Sequence, residues 1–149
     1  IRGILNLKRC RQRVEIRCVI HKENYQRLPA LAEFIRRNLL FVDHVAFMGL
    51  EIIGFAKSNF GALWIPPNEY EDELAKAVER IAQSGIRVSI YNHPLCLIPP
   101  LIRQYAVKSI SDWKSDFASE CSNCVKRSDC GGFFSWNVGS GSNGLKPFT

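Results

Sequence analysis

The stretch Asp43-His-Val-Ala-Phe-Met-Gly-Leu-Glu51 decides how this chain is read, because its apolar run is continuous rather than alternating. A strand covered on both faces, as in a parallel sheet flanked by helices, has that pattern. Glu51 then falls at the strand's carboxyl end. Just upstream, Leu28, Leu31, Ile35 and Leu39 form one apolar helical stripe, with Pro29 near its start and Glu33, Arg36 and Arg37 turned to water. Before that helix, Val14-Glu-Ile-Arg-Cys-Val-Ile-His21 is rich in β-branched residues and reads as a strand. Val14, Ile16, Cys18 and Ile20 share the side suited to packing on helices, and Glu15, Arg17, Val19 and His21 share the other. A polar inner face predicts a cavity there.

Downstream of Glu51, a loop of about a dozen residues with Gly54, Gly61, Pro66 and Pro67 leads to the clearest helical pattern. Asn68 is the expected cap, with Glu71 three positions on. Tyr70, Leu74, Ala77, Val78 and Ile81 mark the buried face. Gly85 supplies the left-handed stop, and Ile86-Arg-Val-Ser-Ile-Tyr-Asn-His93 is a third strand. Strand, helix, strand, helix, strand builds a parallel sheet by right-handed crossovers. Three strands cannot close a barrel, so the pattern reads as the second half of a larger α/β barrel. Pro99–Lys108 is expected to form one short helix, followed by an irregular appendage and a Gly/Ser-rich tail around Gly139–Gly144.

A 149-residue chain with 46% hydrophobic residues can build one domain core plus an appendage. It opens on Ile1, in residues already at helical spacing, so it is expected to be a piece of a longer protein. No apolar run nears the ~20 residues that span a bilayer, and no signal-peptide pattern opens the chain. A cytoplasmic protein without membrane contact is the expectation. The net charge of +6 is densest at Lys8, Arg9, Arg11, Arg13 and Arg17. No aromatic residues are interleaved there to stack bases, so a solvated connection is favoured and nucleic acid is not expected as a partner.

Six cysteines are present, and Cys121, Cys124 and Cys130 crowd into ten residues. In an α/β chain that spacing points to metal rather than to disulfides. Two thiolates separated by two residues grip a metal site from one turn, and Gly131 and Gly132 let the backbone pass close by. Cys96, just beyond the third strand, is the expected fourth ligand. Spacing alone leaves iron–sulfur and zinc both open. Cys18 belongs to the apolar strand face and Cys10 stands alone among basic residues, so neither is expected to ligate.

His21, Glu51, Asn92 and His93 fall at or past strand ends, where sites of parallel α/β folds gather, and are expected to converge on one pocket. For each the plainer alternative is a loop-capping polar residue. Arg17, directed inward, can hold a carboxylate in a two-pronged pair, or else an ion pair with Glu15 or Glu51. His44, at the opposite end of its strand, is expected to be structural. No Gly-rich phosphate loop, Ser-His-Asp arrangement or helical His-x-x-x-His pair is recognisable in the sequence.

Taken in order, Val14-Glu-Ile-Arg17 with His21, Val45-Ala-Phe-Met-Gly-Leu-Glu51, Ile90-Tyr-Asn-His-Pro-Leu-Cys96, Ser111-Asp-Trp-Lys114 and the closing Cys-x-x-Cys-x5-Cys-Gly-Gly-Phe-Phe134 resemble a radical S-adenosylmethionine peptide maturase. The likeness is greatest to the C member of the His-Xaa-Ser maturation system and runs from about Ile1 to Trp136. It implies an α/β fold that is the C-terminal half of a partial (β/α)6 barrel with parallel strands, residues 1–108. A small irregular Cys-rich cluster-binding cap, residues 109–136, and a flexible tail, residues 137–149, would follow. It further implies that Cys96, Cys121, Cys124 and Cys130 hold an auxiliary 4Fe-4S cluster. Arg17, Glu51 and Asn92 would then bind S-adenosylmethionine, and His21 and His93 would meet the substrate. The full-length enzyme would carry a second 4Fe-4S cluster, and its 5'-deoxyadenosyl radical would abstract hydrogen from a precursor peptide. A reductant such as flavodoxin or ferredoxin and partner maturation proteins of the same system are the implied partners. The Cys-x-x-x-Cys-x-x-Cys motif that holds the first cluster in such enzymes is absent from these 149 residues, so this stretch alone is expected not to cleave the cofactor. The alternative from another class is a zinc-stabilised peptide-binding module without redox chemistry.

Overall fold

The computed structural model describes residues 1–141 and 144–149, so Ser142 and Asn143 of the Gly/Ser-rich tail lie outside the described residues. A helix, α1 (Arg2–Arg9), precedes strand β1 (Glu15–Val19). Then come α2 (Leu28–Asn38), β2 (His44–Met48), two short helices α3 (Gly54–Ser58) and α4 (Phe60–Leu63), α5 (Glu71–Gln83) and β3 (Arg87–Tyr91). A two-residue strand, β4 (Ala106–Val107), completes a sheet of order β1-β2-β3-β4. All three pairings are parallel. The protein is therefore mixed α/β with a four-stranded parallel sheet.

Both long helices lie on one face of that sheet and against each other. Leu28, Ala32 and Ile35 of α2 and Leu74, Ala77, Val78 and Ile81 of α5 share one core with Val45, Phe47, Val88 and Ile90 of the strands. Each large apolar side chain buried there contributes about 1.5–3 kcal/mol, so this layer dominates stability. The alternation expected in β1 is present. Val14 and Ile20 are buried and Ile16 and Cys18 half-buried, while Glu15, Arg17 and Val19 are exposed.

Several local features differ from the sequence reading. Helix α5 starts at Glu71 with Tyr70 as its N-cap residue and no side-chain cap, while Asn68 sits in the preceding 3-10 turn Pro67–Glu69. The acidic first turn, Glu71, Asp72 and Glu73, offsets the missing cap by facing the positive end of the helix dipole. Gly85 does take a left-handed conformation, with φ of 78°. The segment expected as a loop after Glu51 contains α3 and α4, and the single helix expected at Pro99–Lys108 is a 3-10 turn, Pro100–Tyr105, running into β4. Pro99 and Pro100 lack the amide hydrogens a regular helix would use.

Beyond β4, strands β5 (Ser115–Asp116) and β6 (Phe133–Phe134) form a small antiparallel pair, followed by the short helix α6 (Val138–Gly141). A second, small core joins Leu97, Ala118, Cys121 and Phe133. Asn137 is buried and stitches this part to the loop after β2, donating to the Leu50 carbonyl at 2.8 Å and accepting from the Ile52 amide at 2.9 Å. Near the chain's end, the Phe148 carbonyl accepts a hydrogen bond from the Val125 amide at 3.0 Å. Among the described residues no helix is long and apolar enough to cross a membrane.

Candidate functional site

Past the carboxyl end of β3 the chain turns at Asn92, whose φ of 60° lies in the left-handed region that asparagine tolerates better than most residues. Ser109 holds this turn from both sides. Its Oγ accepts from the Asn92 amide at 2.9 Å and donates to Asn92 Oδ1 at 3.0 Å. The next turn, Leu95–Leu97, carries Cys96. From the other side the 3-10 turn Ser119–Asn123 brings Cys121, the following residues bring Cys124, and Cys130 arrives just before β6. All four thiols line one narrow cavity, together with Pro94, Phe117, Lys126, Arg127, Phe133, Pro147 and Phe148. None of the six cysteines is in a disulfide; Cys121 and Cys130 are buried and Cys96 and Cys124 half-buried.

The backbone is arranged around these sulfurs. Cys130 Sγ accepts hydrogen bonds from the Leu95 and Gly132 amides, each at 3.4 Å. Gly132 has φ of 66°, and a Cβ there would lie 2.6 Å from the Asp116 carbonyl oxygen, so only glycine lets the chain return past the cavity. Burial pushes the Cys96 thiol up, the Lys146 amide partly counteracts this, and Cys130 and Cys124 push it further up. Burial likewise raises the Cys121 thiol, with the Cys96 sulfur as the next cause. A metal supplies the positive charge that lets thiols such as those of Cys96 and Cys121 ionise. Among the described residues, however, no three His, Cys, Asp or Glu side chains are gathered closely enough to hold one metal ion.

Most of the other candidate side chains are engaged by partners within the fold. His93 is buried, and both ring nitrogens are engaged: Nδ1 with the Tyr91 carbonyl at 2.8 Å and Nε2 with the Tyr70 hydroxyl at 2.7 Å. A carbonyl only accepts, so Nδ1 carries the proton and Tyr70 donates to Nε2. Burial lowers the His93 pKa to about 4 and raises that of Tyr70. His93 thus closes the base of the edge instead of facing an open pocket. Glu51 pairs with Lys114 at 3.2 Å, and the Lys114 ammonium lies 4.9 Å from the Trp113 ring centroid and 5.7 Å from that of Trp136. His21 is used locally, its Nδ1 accepting from the Glu23 amide and its own amide donating to Asn24. Arg17 takes Glu15 as its partner at 2.6 Å, exposed rather than buried, and its guanidinium lies 5.9 Å from the Tyr91 ring. Of this group, Asn92 alone lines a cavity at the strand ends, with Gly49, Tyr70, Phe133 and Asn137 among its neighbours.

One polar constellation escaped the sequence reading, which found no Ser-His-acid arrangement. Across the face of the sheet opposite the helices, Ser89 Oγ lies 2.9 Å from His44 Nε2, and His44 Nδ1 lies 3.2 Å from Glu15 Oε2. Strand register creates this set: Glu15 lies opposite His44, and Ser89 is one pleat further along β3. The signal in the sequence was only the expectation that His44 is structural. Ser89 is mid-strand and 7% exposed, so a substrate carbonyl has no approach to it, and the set is a polar ladder, buried at His44 and Ser89 and open at Glu15, that fixes register.

Fold and site together define a parallel α/β protein with a four-thiol cavity at the carboxyl edge of its sheet. No protein-family model, curated protein or solved structure matches this chain.

Proposed function

We propose that this chain is the C-terminal part of a radical S-adenosylmethionine enzyme that modifies a ribosomally made peptide, its sheet a piece of a partial (β/α)6 barrel and its Cys-rich part a cap for an auxiliary 4Fe-4S cluster. The observation that carries the reading is that four thiols from three separate segments line one cavity just beyond the carboxyl end of β3. Cys96, Cys121, Cys124 and Cys130 would hold the cluster. A cluster spreads four thiolates around a multi-atom core, whereas a single zinc draws them to ~2.3 Å from one point. When bound, such a cluster accepts or donates one electron near the substrate.

The chain's own residues would do the rest. The Leu95 and Gly132 amides would orient Cys130 through hydrogen bonds to its sulfur, and Phe117, Phe133 and Phe148 would limit water. Asn92 and Glu51 stand past strand ends suited to the polar parts of the cofactor, and Lys114, paired with Glu51 at 3.2 Å, would share that carboxylate. Arg17 lies on the face opposite the helices, and His21 and His93 would support rather than contact the peptide.

Oxygen-free reconstitution of the chain with iron and sulfide tests this. About four iron and four sulfide per chain, with broad visible absorbance, are expected, and Cys124→Ala should lose most of both. A colourless protein that takes up one zinc and no iron would replace the cluster with a zinc-stabilised peptide-binding module.

A further inference from the structure

Arg103, in the 3-10 turn before β4, has no acidic partner among the described ion pairs, yet its guanidinium donates two hydrogen bonds. Its Nε donates to the Leu95 carbonyl at 3.1 Å and its Nη2 to the Ile98 carbonyl at 3.0 Å. These two carbonyls bracket Cys96. Its planar head also lies 4.8 Å from the Phe148 ring centroid, and Phe148 with Pro147 walls the thiol cavity. Phe148 is held a second time through the hydrogen bond from the Val125 amide to its carbonyl, one residue beyond Cys124. The strap Leu145–Phe148 is thus tied on both flanks, with Leu145 packed against the small core that contains Cys121.

We propose that Arg103 is a positioning residue of the thiol site: it fixes the Cys96 turn and, through Phe148, covers one side of the cavity. This rests on reading the four thiols as one ligand set. A guanidinium suits the task because one rigid fork reaches two carbonyls while its flat face packs on a ring, which an ammonium does not do.

The test uses the metal-free chain in native buffer without oxygen, pulsed with iodoacetamide, with each cysteine followed by peptide mass mapping. In the unaltered chain exposed Cys10 should label fastest and Cys96, Cys121 and Cys130 slowly. Arg103→Ala and Phe148→Ala should each raise labelling of Cys96 about tenfold, as expected when a locally closed state opens. Arg103→Lys should fall between, and Cys18, on β1, should keep its rate. Unchanged Cys96 labelling in Phe148→Ala overturns the proposal, and so does a parallel rise at Cys18 and Cys96 in both Phe148→Ala and Arg103→Lys, since that would mark general loosening. After reconstitution, visible absorbance should bleach in air faster in Phe148→Ala than in the unaltered chain, and equal rates would count against that cover. Should the unaltered chain take up no iron at all, the cluster reading falls while the labelling still decides the role of Arg103.

Discussion

The Tyr70–His93 pair shows how a polar group at an expected site is consumed by the fold. A neutral imidazole receiving the Tyr70 hydroxyl is stable inside the protein only while unprotonated, and burial lowers its pKa from 6.5 to about 4. The unfolded chain binds the proton near the ordinary value. Between those two pH values the unfolded state therefore holds more protons, and stability falls as the pH drops through the window; above about pH 6.5 the contribution is complete. Urea midpoints should show a loss of about 2 kcal/mol from this group between pH 7 and pH 5, and His93→Gln should remove that slope, whatever its effect at neutral pH. An equal slope in the variant would mean that His93 is not the group titrating.

Helix α5 carries the sheet's stability, and its effect on mutation should follow its two faces. Ile81 is fully buried between α2 and the strands, so Ile81→Ala should cost about 2–5 kcal/mol in denaturant unfolding. Lys76, five residues earlier and exposed, should change stability by less than about 0.5 kcal/mol when replaced by Ala. A small effect at Ile81 would contradict the packing. This helix, α2 and β2 were legible in the sequence because many residues repeat the same period, and Gly85 and the acidic turn mark ends without reference to partners. Strand β4 and the β5–β6 pair were not legible, because two residues hold no period and exist only through their neighbours. The engagement of Glu51 and His93 by other side chains was not legible for a related reason. Position at a strand end is readable, but the partner that claims the side chain, Lys114 for Glu51 or Tyr70 for His93, depends on chain returning from tens of residues away. The four-thiol cavity was legible because Cys-x-x-Cys is local and Cys96 follows a strand whose end could be placed.

The molecule has two cores of unequal strength, and this sets what metal binding should do to it. The layer of α2 and α5 on the sheet is large and apolar, whereas the part after β4 rests on Leu97, Ala118, Cys121 and Phe133 and on a pairing of two residues per strand. A core that small ordinarily needs a metal or a cross-link to stay ordered. A group bound by four thiols from three segments would supply that link, since binding free energy at a folded-only site is folding free energy. Amide hydrogen exchange of the reconstituted and metal-free chains measures this directly. Amides of β2 and α5 should exchange slowly in both, while those of residues 115–134 should be protected with the metal group and exchange on the order of a hundredfold faster without it. The Asn137 links to Leu50 and Ile52 should report the boundary, with the Ile52 amide losing part of its protection when the metal is removed. Equal protection of residues 115–134 in the two states would mean that packing alone holds the cap, and that its thiols are ordered before any metal arrives.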